Sequence, residues 1–411
     1  MENINSLSDI EKIYIIQPIL DEHYKSLQKE AVSLIESSGA LYAGTIYQKI
    51  REINPATYIG YGKLAELRER LLNLDVTILF NGELSPSQTL NISAALDGKK
   101  VIDRTTLILA IFAKNAKTNE GKIQVELAQL KYIYPRLKGK GEGLSRLGGG
   151  IGTRGPGETK LETDRRKIRV RISYLEDKLK QIESTRALIS YRRKRDSVKM
   201  ISLIGYTNTG KSTLLNLLTQ ADVYAENKLF ATLDPTSRKF VIDGSSFLLT
   251  DTVGFLRDLP HNLISAFHST LESALNCDLA LIVCDASDDY EMQLETTLKT
   301  IEQLNKQIPY LIVMNKSETV QNFDAYPPNS IFISAKLNLG IENLKNEILH
   351  FFRSRFTDVT LSVPYSEFSA YNQLKKYADE KSAVYTDDCV IISARINNDY
   401  MSKFIRFIKQ G

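Results

Sequence analysis

The eight residues GYTNTGKS at 205–212 constrain the fold of this chain more than any other stretch. They fit the pattern GxxxxGK[ST] and stand between an apolar run, MISLIG, and a stretch of helical periodicity. Glycines in such a turn let backbone N–H groups close on phosphate oxygens, and the helix that follows adds the positive end of its dipole. Strand, glycine turn and helix in that order belong to a mainly parallel sheet with helices on its faces. In this reading Lys211 meets the β- and γ-phosphates and the Ser212 hydroxyl ligates Mg2+.

The chain has 411 residues, which at roughly 150 per domain predicts two or three domains. From Lys12, short β-branched runs alternate with helical periods: IYIIQP, a helix through Glu36, LYAGTIY, TYIGYG, a helix to Asn73, VTILF, a helix from Ser85, and KKVID. This rhythm predicts a parallel α/β domain over 1–118. Residues 104–135 read as helix throughout, with Ile123, Leu127, Leu130 and Tyr134 along one face. Residues 139–157 hold nine of the 22 glycines and form neither helix nor strand by propensity. A basic helix from about Glu158 to Arg195 follows, with Leu161, Ile168, Ile172, Leu175, Leu179, Ile182 and Ile189 near heptad spacing. Residues 119–197 are therefore predicted as an antiparallel helical hairpin with a glycine-rich loop. Arg165, Arg166, Lys167, Arg169 and Arg171 then stand near its tip. A second α/β domain spans 198–355, with strands MISLIG, FVIDG, FLLTDT, LALIVCD, YLIVMN and IFIS. Residues 356–411 read as a small α/β unit with strands near VTLSVP and CVIISARI and a terminal helix at MSKFIRFIKQ.

The formal net charge of +4 hides an asymmetry. Residues 131–195 carry 19 basic and 7 acidic side chains, and the rest carries 34 and 42. Arginines along a glycine-rich loop suit RNA phosphates, because each neutralised phosphate releases counterions and irregular RNA is read by shape. The plain alternative is a solvated helical face with a linker. Arg146, Arg154 and Lys160 are the predicted RNA contacts. Three scattered cysteines, Cys277, Cys284 and Cys389, make neither a disulfide framework nor a CxxC metal site. No signal peptide and no apolar run of membrane-spanning length appears, so the expected setting is cytoplasmic. His23, His261, His268 and His350 form no ligand-spaced cluster.

Further motifs follow the first in order along the chain. DTVGF at 251–255 ends an apolar run; Asp251 supports Mg2+ directly or through water, and the Gly254 N–H can reach a γ-phosphate. NKSE at 315–318 resembles the guanine-reading NKxD signature. A carboxylate there accepts both N1–H and N2–H2 of guanine, a pattern adenine lacks. Here it is Glu318, one methylene longer than the usual aspartate. Ser334, Ala335 and Lys336 stand where the loop backing the base belongs. The segment FATLDPTSR offers Thr232 and Thr236 as a second Mg2+ ligand, Thr236 also fitting turn chemistry after Pro235. The expected nucleotide contacts are Gly205, Tyr206, Thr207, Asn208, Thr209, Gly210, Lys211, Ser212 and Thr213, then Phe230, Ala231, Thr232, Leu233 and Asp234. Asp251, Thr252, Val253 and Gly254, then Asn315, Lys316, Ser317 and Glu318, complete them with the 334–336 loop. Lys211 and Gly254 carry the catalytic part. Phe255 follows the glycine where Ras-like enzymes place a water-orienting glutamine, so slow intrinsic hydrolysis is expected. Asn208 resembles the asparagine that potassium-assisted GTPases use as a cation ligand; capping the loop backbone is the equal alternative.

With FNGELSPSQ at 80–88, VIDRTTLILAIFAKNAKTNEGKIQVELAQL at 101–130, RLGGGIGTRGPGETKLETDRR at 146–166, GYTNTGKST and FATLDPTSR, the chain resembles the HflX family of GTPases from about residue 12 to 355. The resemblance favours Thr232 over Thr236. It implies an N-terminal α/β domain with long helices, a central GTPase domain, GTP or GDP as ligand, and binding to the large ribosomal subunit in the GTP state. It further implies dissociation of stalled or idle ribosomes under stress. No DNA partner is expected, and the chain is expected as a monomer. Two other readings stand beside this one: a scaffold that binds GTP with little turnover, and a P-loop kinase acting on a small molecule. GYGK at 60–63 resembles half a phosphate loop, but its spacing favours a strand-to-helix turn over a second nucleotide site.

Overall fold

The computed structural model describes residues 10–137, 156–195, 198–219, 229–230, 235–257, 272, 275–304 and 307–409, some positions of the long helix and third sheet by backbone alone. Three sheets organise them. The first takes strands β1 (Lys12–Ile19), β2 (Leu41–Lys49), β3 (Thr77–Phe80) and β4 (Val101–Asp103) in the order β2-β1-β3-β4. All its pairings are parallel. Successive strand side chains point to opposite faces, so Ile13 and Ile15 pack with α1 (Tyr24–Ser38) and α4 (Arg104–Asn115). Tyr14 and Ile16 pack on the other face with α2 (Tyr61–Arg70) and α3 (Pro86–Ala95). The unbroken run from Ile13 to Ile16, with no polar alternation, is what a strand covered on both faces requires.

Two expectations here need correction. TYIGYG forms no strand: Tyr58 is left-handed at φ 65° and pairs only with Asn54 in an isolated bridge. Gly60 then caps α2 with its carbonyl, which accepts from the Lys63 and Leu64 N–H groups. The helical stretch at 104–135 is two helices. Ala116 turns extended, and the Thr118 hydroxyl accepts from the Gly121 N–H to start α5 (Asn119–Arg136). A Thr cap of this kind contributes about 1 kcal/mol.

α5 packs along α6 (Pro156–Arg195), a helix of 40 residues. Among the described residues, those buried between them are Ile123, Leu127, Leu175 and Leu179, edged by Leu130, Ile172 and Ile182. At roughly 1.5–3 kcal/mol per buried Leu or Ile, this seam is thin beside those of the sheets. It is supplemented by polar bridges: Arg171 forks onto Glu126 at 2.6 and 2.9 Å, Lys131 meets Glu176 at 2.7 Å, and Arg169 donates to the Tyr134 hydroxyl at 2.7 Å. The glycine-rich residues 139–155, with Arg146 and Arg154, lie outside the described residues, as does the Lys160 side chain.

The central sheet has the order β10-β9-β8-β5-β7-β6. Its strands are β5 (Lys199–Ile204), β6 (Thr236–Ile242), β7 (Ser245–Asp251), β8 (Leu279–Asp285), β9 (Tyr310–Asn315) and β10 (Ile331–Phe332). Only β6 runs antiparallel to its neighbour. The helices α7 (Lys211–Thr219), α8 (Tyr290–Gln303) and α9 (Ile341–Ser354) complete the unit, α7 and α9 sharing one core with the sheet. β5 lies mid-sheet with β7 on one side and β8 on the other, and in open α/β sheets a crevice opens where strand order reverses.

The third sheet is antiparallel, with β11 (Phe356–Pro364), β12 (Ala378–Tyr385) and β13 (Cys389–Asn397) in the order β11-β13-β12, covered by α10 (Phe368–Tyr377). The expected terminal helix is instead two 3-10 turns, Asn398–Lys403 and Ile405–Phe407. Phe404, at the joint between the two turns, and Phe407 are both drawn into the sheet's core.

Candidate functional site at the carboxyl edge of the central sheet

β5 ends at Ile204 and the chain turns at Gly205, with φ 149°. A Cβ there would lie 2.2 Å from the Val283 carbonyl oxygen of β8, so only glycine lets the loop leave between the two strands. Gly210, at φ 90°, faces Asn315 as closely: a Cβ would lie 2.3 Å from its Nδ2. The loop closes on itself, the Thr209 hydroxyl donating to the Tyr206 carbonyl at 3.1 Å. Lys211 opens α7, and its ammonium donates to the carbonyls of Gly205 at 3.2 Å and Tyr206 at 2.5 Å. Burial pushes this group down to about 8, against the pull of Asp251. A buried ammonium of this kind gains most from an anion placed beside it.

Asp251 ends β7 and is fully buried. Its Oδ2 accepts from the Ser212 hydroxyl at 2.6 Å and its Oδ1 from the Thr252 N–H at 3.0 Å. The Thr252 hydroxyl ties back to the Leu203 carbonyl at 2.8 Å. Past Val253, which is buried, Gly254 rests on the loop: a Cβ there would lie 2.8 Å from Thr207 Cα and 3.1 Å from Lys211 Nζ. Phe255 stitches the segment to the loop, its N–H donating to Gly205 O at 3.0 Å and its carbonyl accepting from the Thr207 N–H at 2.8 Å. The ring is 2% exposed and packs in the core shared with the first sheet. It is a structural wedge and not a group facing a water.

The 315–318 segment follows β9. The Asn315 carboxamide donates to the Thr209 carbonyl at 2.8 Å and accepts from the Ala335 N–H at 2.9 Å, joining three loops. Lys316, left-handed at φ 61°, lays its ammonium on Asp285 Oδ2 at 2.5 Å and on the Asn208 carbonyl at 3.3 Å. Ser317 donates its N–H to the Ile333 carbonyl at 3.0 Å, and Glu318 stands exposed in the 3-10 turn that follows. The buried Ser334 hydroxyl caps the Leu337 N–H at 3.2 Å, with Lys336 exposed beside it. Thr213 is exposed on α7.

Two residues of the expected set face elsewhere. The Tyr206 side chain leaves the phosphate loop and donates its hydroxyl to Glu30 Oε2 on α1 at 2.6 Å. Burial first, and then the Glu30 carboxylate, hold its proton far above the usual tyrosine range. Phe230, left-handed at φ 58°, is buried edge-on to Phe112 of α4 at 4.5 Å, while its carbonyl accepts from Asn115 Nδ2 at 2.8 Å. Ala231, Thr232, Leu233 and Asp234 lie outside the described residues. Sequence reasoning missed Asp285, whose only signal is its place at the end of LALIVCD, and missed Glu30 and Arg104, which bind this site from the first sheet.

The donors gathered by Ser212 and Asp251 are all oxygens, the set a hard cation such as Mg2+ takes. Among the described residues no His, Cys, Asp and Glu cluster forms another metal site, and no helix is long and apolar enough to cross a membrane.

Known proteins share this arrangement. Three family profiles match in succession: "GTP-binding GTPase N-terminal" over residues 25–113, "GTP-binding GTPase Middle Region" over 115–195, and "50S ribosome-binding GTPase" over 200–316. A protein named GTPase HflX from Caldanaerobacter subterraneus subsp. tengcongensis is 43% identical over 97% of this chain and 94% of its own length. That of Escherichia coli (strain K12) is 39% identical, covering 93% and 92%. Among solved structures, the crystal structure of SsGBP in complex with GDP superimposes with a TM-score of 0.50 at 25% identity, over 83% of this chain and 98% of that one.

Proposed function

The chain belongs to the HflX family of GTPases, and from that membership we propose a switch that engages the large ribosomal subunit when GTP is bound and releases it after hydrolysis. The observation that carries this reading is the Asn315 carboxamide, which joins the phosphate loop, the base-reading strand end and the 334–336 loop into one nucleotide site. Within it, the loop N–H groups from Tyr206 to Thr213 and the Lys211 ammonium hold the phosphates, and the Gly254 N–H meets the γ-phosphate. Glu318 accepts from the guanine edge, Lys316 supports the base plane, and Ser334, Ala335 and Lys336 back it. Ser212 and Asp251, with Thr232, hold Mg2+, Asp251 directly or through water. A cation held by these residues would supply positive charge against the charge that develops between the β- and γ-phosphates. The Phe255 side chain brings no hydrogen-bonding group, so Lys211 and Gly254 carry the chemistry and turnover stays slow without a partner. Asn208, exposed at its left-handed turn, is the candidate for a K+ ligand; replacing potassium with sodium in a hydrolysis assay tests it.

The partner follows from charge and from the relatives. α6 presents Arg166, Lys167 and the half-exposed Tyr174 along one face, beside the Glu126-paired Arg171, a mixture of cations and aromatic surface that suits ribosomal RNA. We assign contact with that RNA to Arg146, Arg154 and Lys160 near the hairpin tip. In this proposal residues 1–118, 119–197, 198–355 and 356–411 act as sheet domain, hairpin, GTPase domain and tail, in a cytoplasmic monomer. Dissociation of stalled or idle ribosomes under stress is the outcome we infer for the cycle. A small-molecule kinase loses its footing with the family membership; a scaffold with little turnover remains the rival because of Phe255.

Co-sedimentation with purified large subunits, with GDP or a non-hydrolysable GTP analogue, tests the reading. Binding is expected with the analogue alone, with faster phosphate release when subunits are added. Replacing Arg146, Arg154 and Lys160 together with alanine is expected to flatten the salt dependence, each lost phosphate contact removing about 0.7–0.9 from the log–log slope. Equal sedimentation with both nucleotides sinks the switch, and unchanged phosphate release favours the scaffold.

A further inference from the structure

Glu30, Arg104, Tyr206 and the backbone of Arg257 close a ring of hydrogen bonds between the first sheet and the nucleotide site. Glu30 Oε2 accepts from the Tyr206 hydroxyl at 2.6 Å, and its Oε1 from Arg104 Nη2 at 2.7 Å. The same Nη2 reaches the Arg257 carbonyl at 3.2 Å, and the Arg257 N–H donates to the Tyr206 hydroxyl at 3.0 Å. The Glu30 and Arg104 side chains are 9% and 6% exposed. Arg104 is braced from behind by Asn81 Oδ1 at 3.1 Å, and Asn81 by Gln17 Oε1 at 2.6 Å. A buried ion pair is rarely justified by stability alone, since an apolar pair of equal volume often does as well. What this one does is hold a backbone: both polar groups of Arg257, three residues past Gly254, are bound by it.

From this geometry we infer that Glu30 and Arg104 are positioning residues for GTP, setting Gly254 beside Lys211 through Tyr206 and Arg257 before the γ-phosphate arrives. A segment ordered in advance spares the γ-phosphate the entropy of ordering it. GDP lacks the group that Gly254 meets and gains nothing from the ring. Coupling is reciprocal, so GTP in turn fastens the first sheet to the GTPase unit. Leu229, just ahead of the FATLDPTSR segment, is held from the same side, its N–H donating to Ser37 Oγ at 2.9 Å. The inference rests on the reading of the chain as a γ-phosphate switch and not on its ribosomal partner.

Tyr206→Phe removes one hydroxyl and leaves the Glu30–Arg104 pair whole, so the fold is spared; Arg104→Lys is the second variant, keeping the charge but not the fork. In the full chain, equilibrium binding of a fluorescent non-hydrolysable GTP analogue is expected to weaken by about five- to tenfold, the size of an ordinary coupling, with GDP affinity within twofold. Lys29→Ala, which breaks the exposed Lys29–Asp288 contact between the same two units at 3.3 Å, is expected to leave the GTP to GDP ratio as it was. Equal weakening of both nucleotides, no weakening of either, or the same ratio change from Lys29→Ala overturns the inference. Loss of large-subunit sedimentation sinks the ribosomal reading while these ratios still stand.

Discussion

The hydroxyl of Ser212 lies 2.6 Å from the carboxylate of Asp251, joining the first turn of α7 to the end of β7. The two residues come from either side of the β5–β7 strand pair, and one cation can take both as ligands. Ser212→Ala and Asp251→Asn are each expected to lower Mg2+-dependent hydrolysis by about 100-fold or more, since a metal's charge is worth several kcal/mol in such a step. Chelation of Mg2+ should bring the unsubstituted chain to the same low rate. Phosphate release over a magnesium titration checks this, and a full rate for either variant at the starting magnesium level counts against the site.

Glu318 is exposed at the end of the 315–318 segment proposed to read the base, with one methylene more than the aspartate of the NKxD signature. Glu318→Ala should reduce the preference for GTP over ATP by on the order of 100-fold, because a site that pairs with donors on a substrate rejects an analogue lacking them by at least that much. Glu318→Asp should keep the preference. Competition of ATP against labelled GTP measures both.

Phe255 occupies the position after Gly254, yet its ring is 2% exposed and fills the core. Phe255→Ala is expected to cost about 3–5 kcal/mol of stability, as buried phenylalanine truncations do. Phe255→Gln should destabilise as well, without accelerating hydrolysis, since the side chain is aimed into packing. Denaturant midpoints together with single-turnover rates separate the two effects; a faster and equally stable Gln variant contradicts the burial argument.

Leu175 is buried, at 1% exposed, where α6 meets α5. In a seam of four buried residues, Leu175→Ala should release the hairpin locally, at about 2–5 kcal/mol, while the three sheets stay folded. Amide exchange should quicken across α5 and α6 and hold steady in β5 and β8. Uniform quickening throughout the chain would mean that the hairpin is no separate unit.

Asp358 sits between Arg395 at 3.1 Å and Lys381 at 2.9 Å on the third sheet. Their hydrogen bonds, Arg395 first, hold its carboxyl down to about 2 against an ordinary 3.8. A depressed carboxyl favours the folded state above its unfolded value and loses that contribution as pH falls toward 2. Carbon NMR titration should place the midpoint near 2, and Arg395→Ala should move it upward. A midpoint left unmoved by that substitution would show that the pair is not formed in solution.

The phosphate loop was legible because local chemistry fixes each of its positions: Gly205 must pass the Val283 carbonyl and Gly210 must clear Asn315. The place of Asn315 was legible for the same reason. Glu30 was not, since it lies 176 residues from Tyr206 in a helix with no local oddity. The misread strand at TYIGYG shows β-branched and aromatic composition overruled by one left-handed residue, Tyr58. β12 went unseen because ADEKSAVY is too polar to read as a strand; its neighbour β13 supplies the apolar residues for both. The phenylalanines of MSKFIRFIKQ suit a helix by spacing, and the sheet they cover makes them a pair of tight turns.

The Asn315 side chain holds the Thr209 carbonyl across 106 residues and the Ala335 N–H across 20 more. A nascent chain therefore emerges with its phosphate loop long before it has anything with which to recognise a base. The tie between the three loops forms only when the strand ending at Asn315 and the turn at Ala335 have both been synthesised and docked. Until then the Thr209 carbonyl lacks the donor that fixes it in the folded chain, and the loop is completed only with the closing of the central sheet.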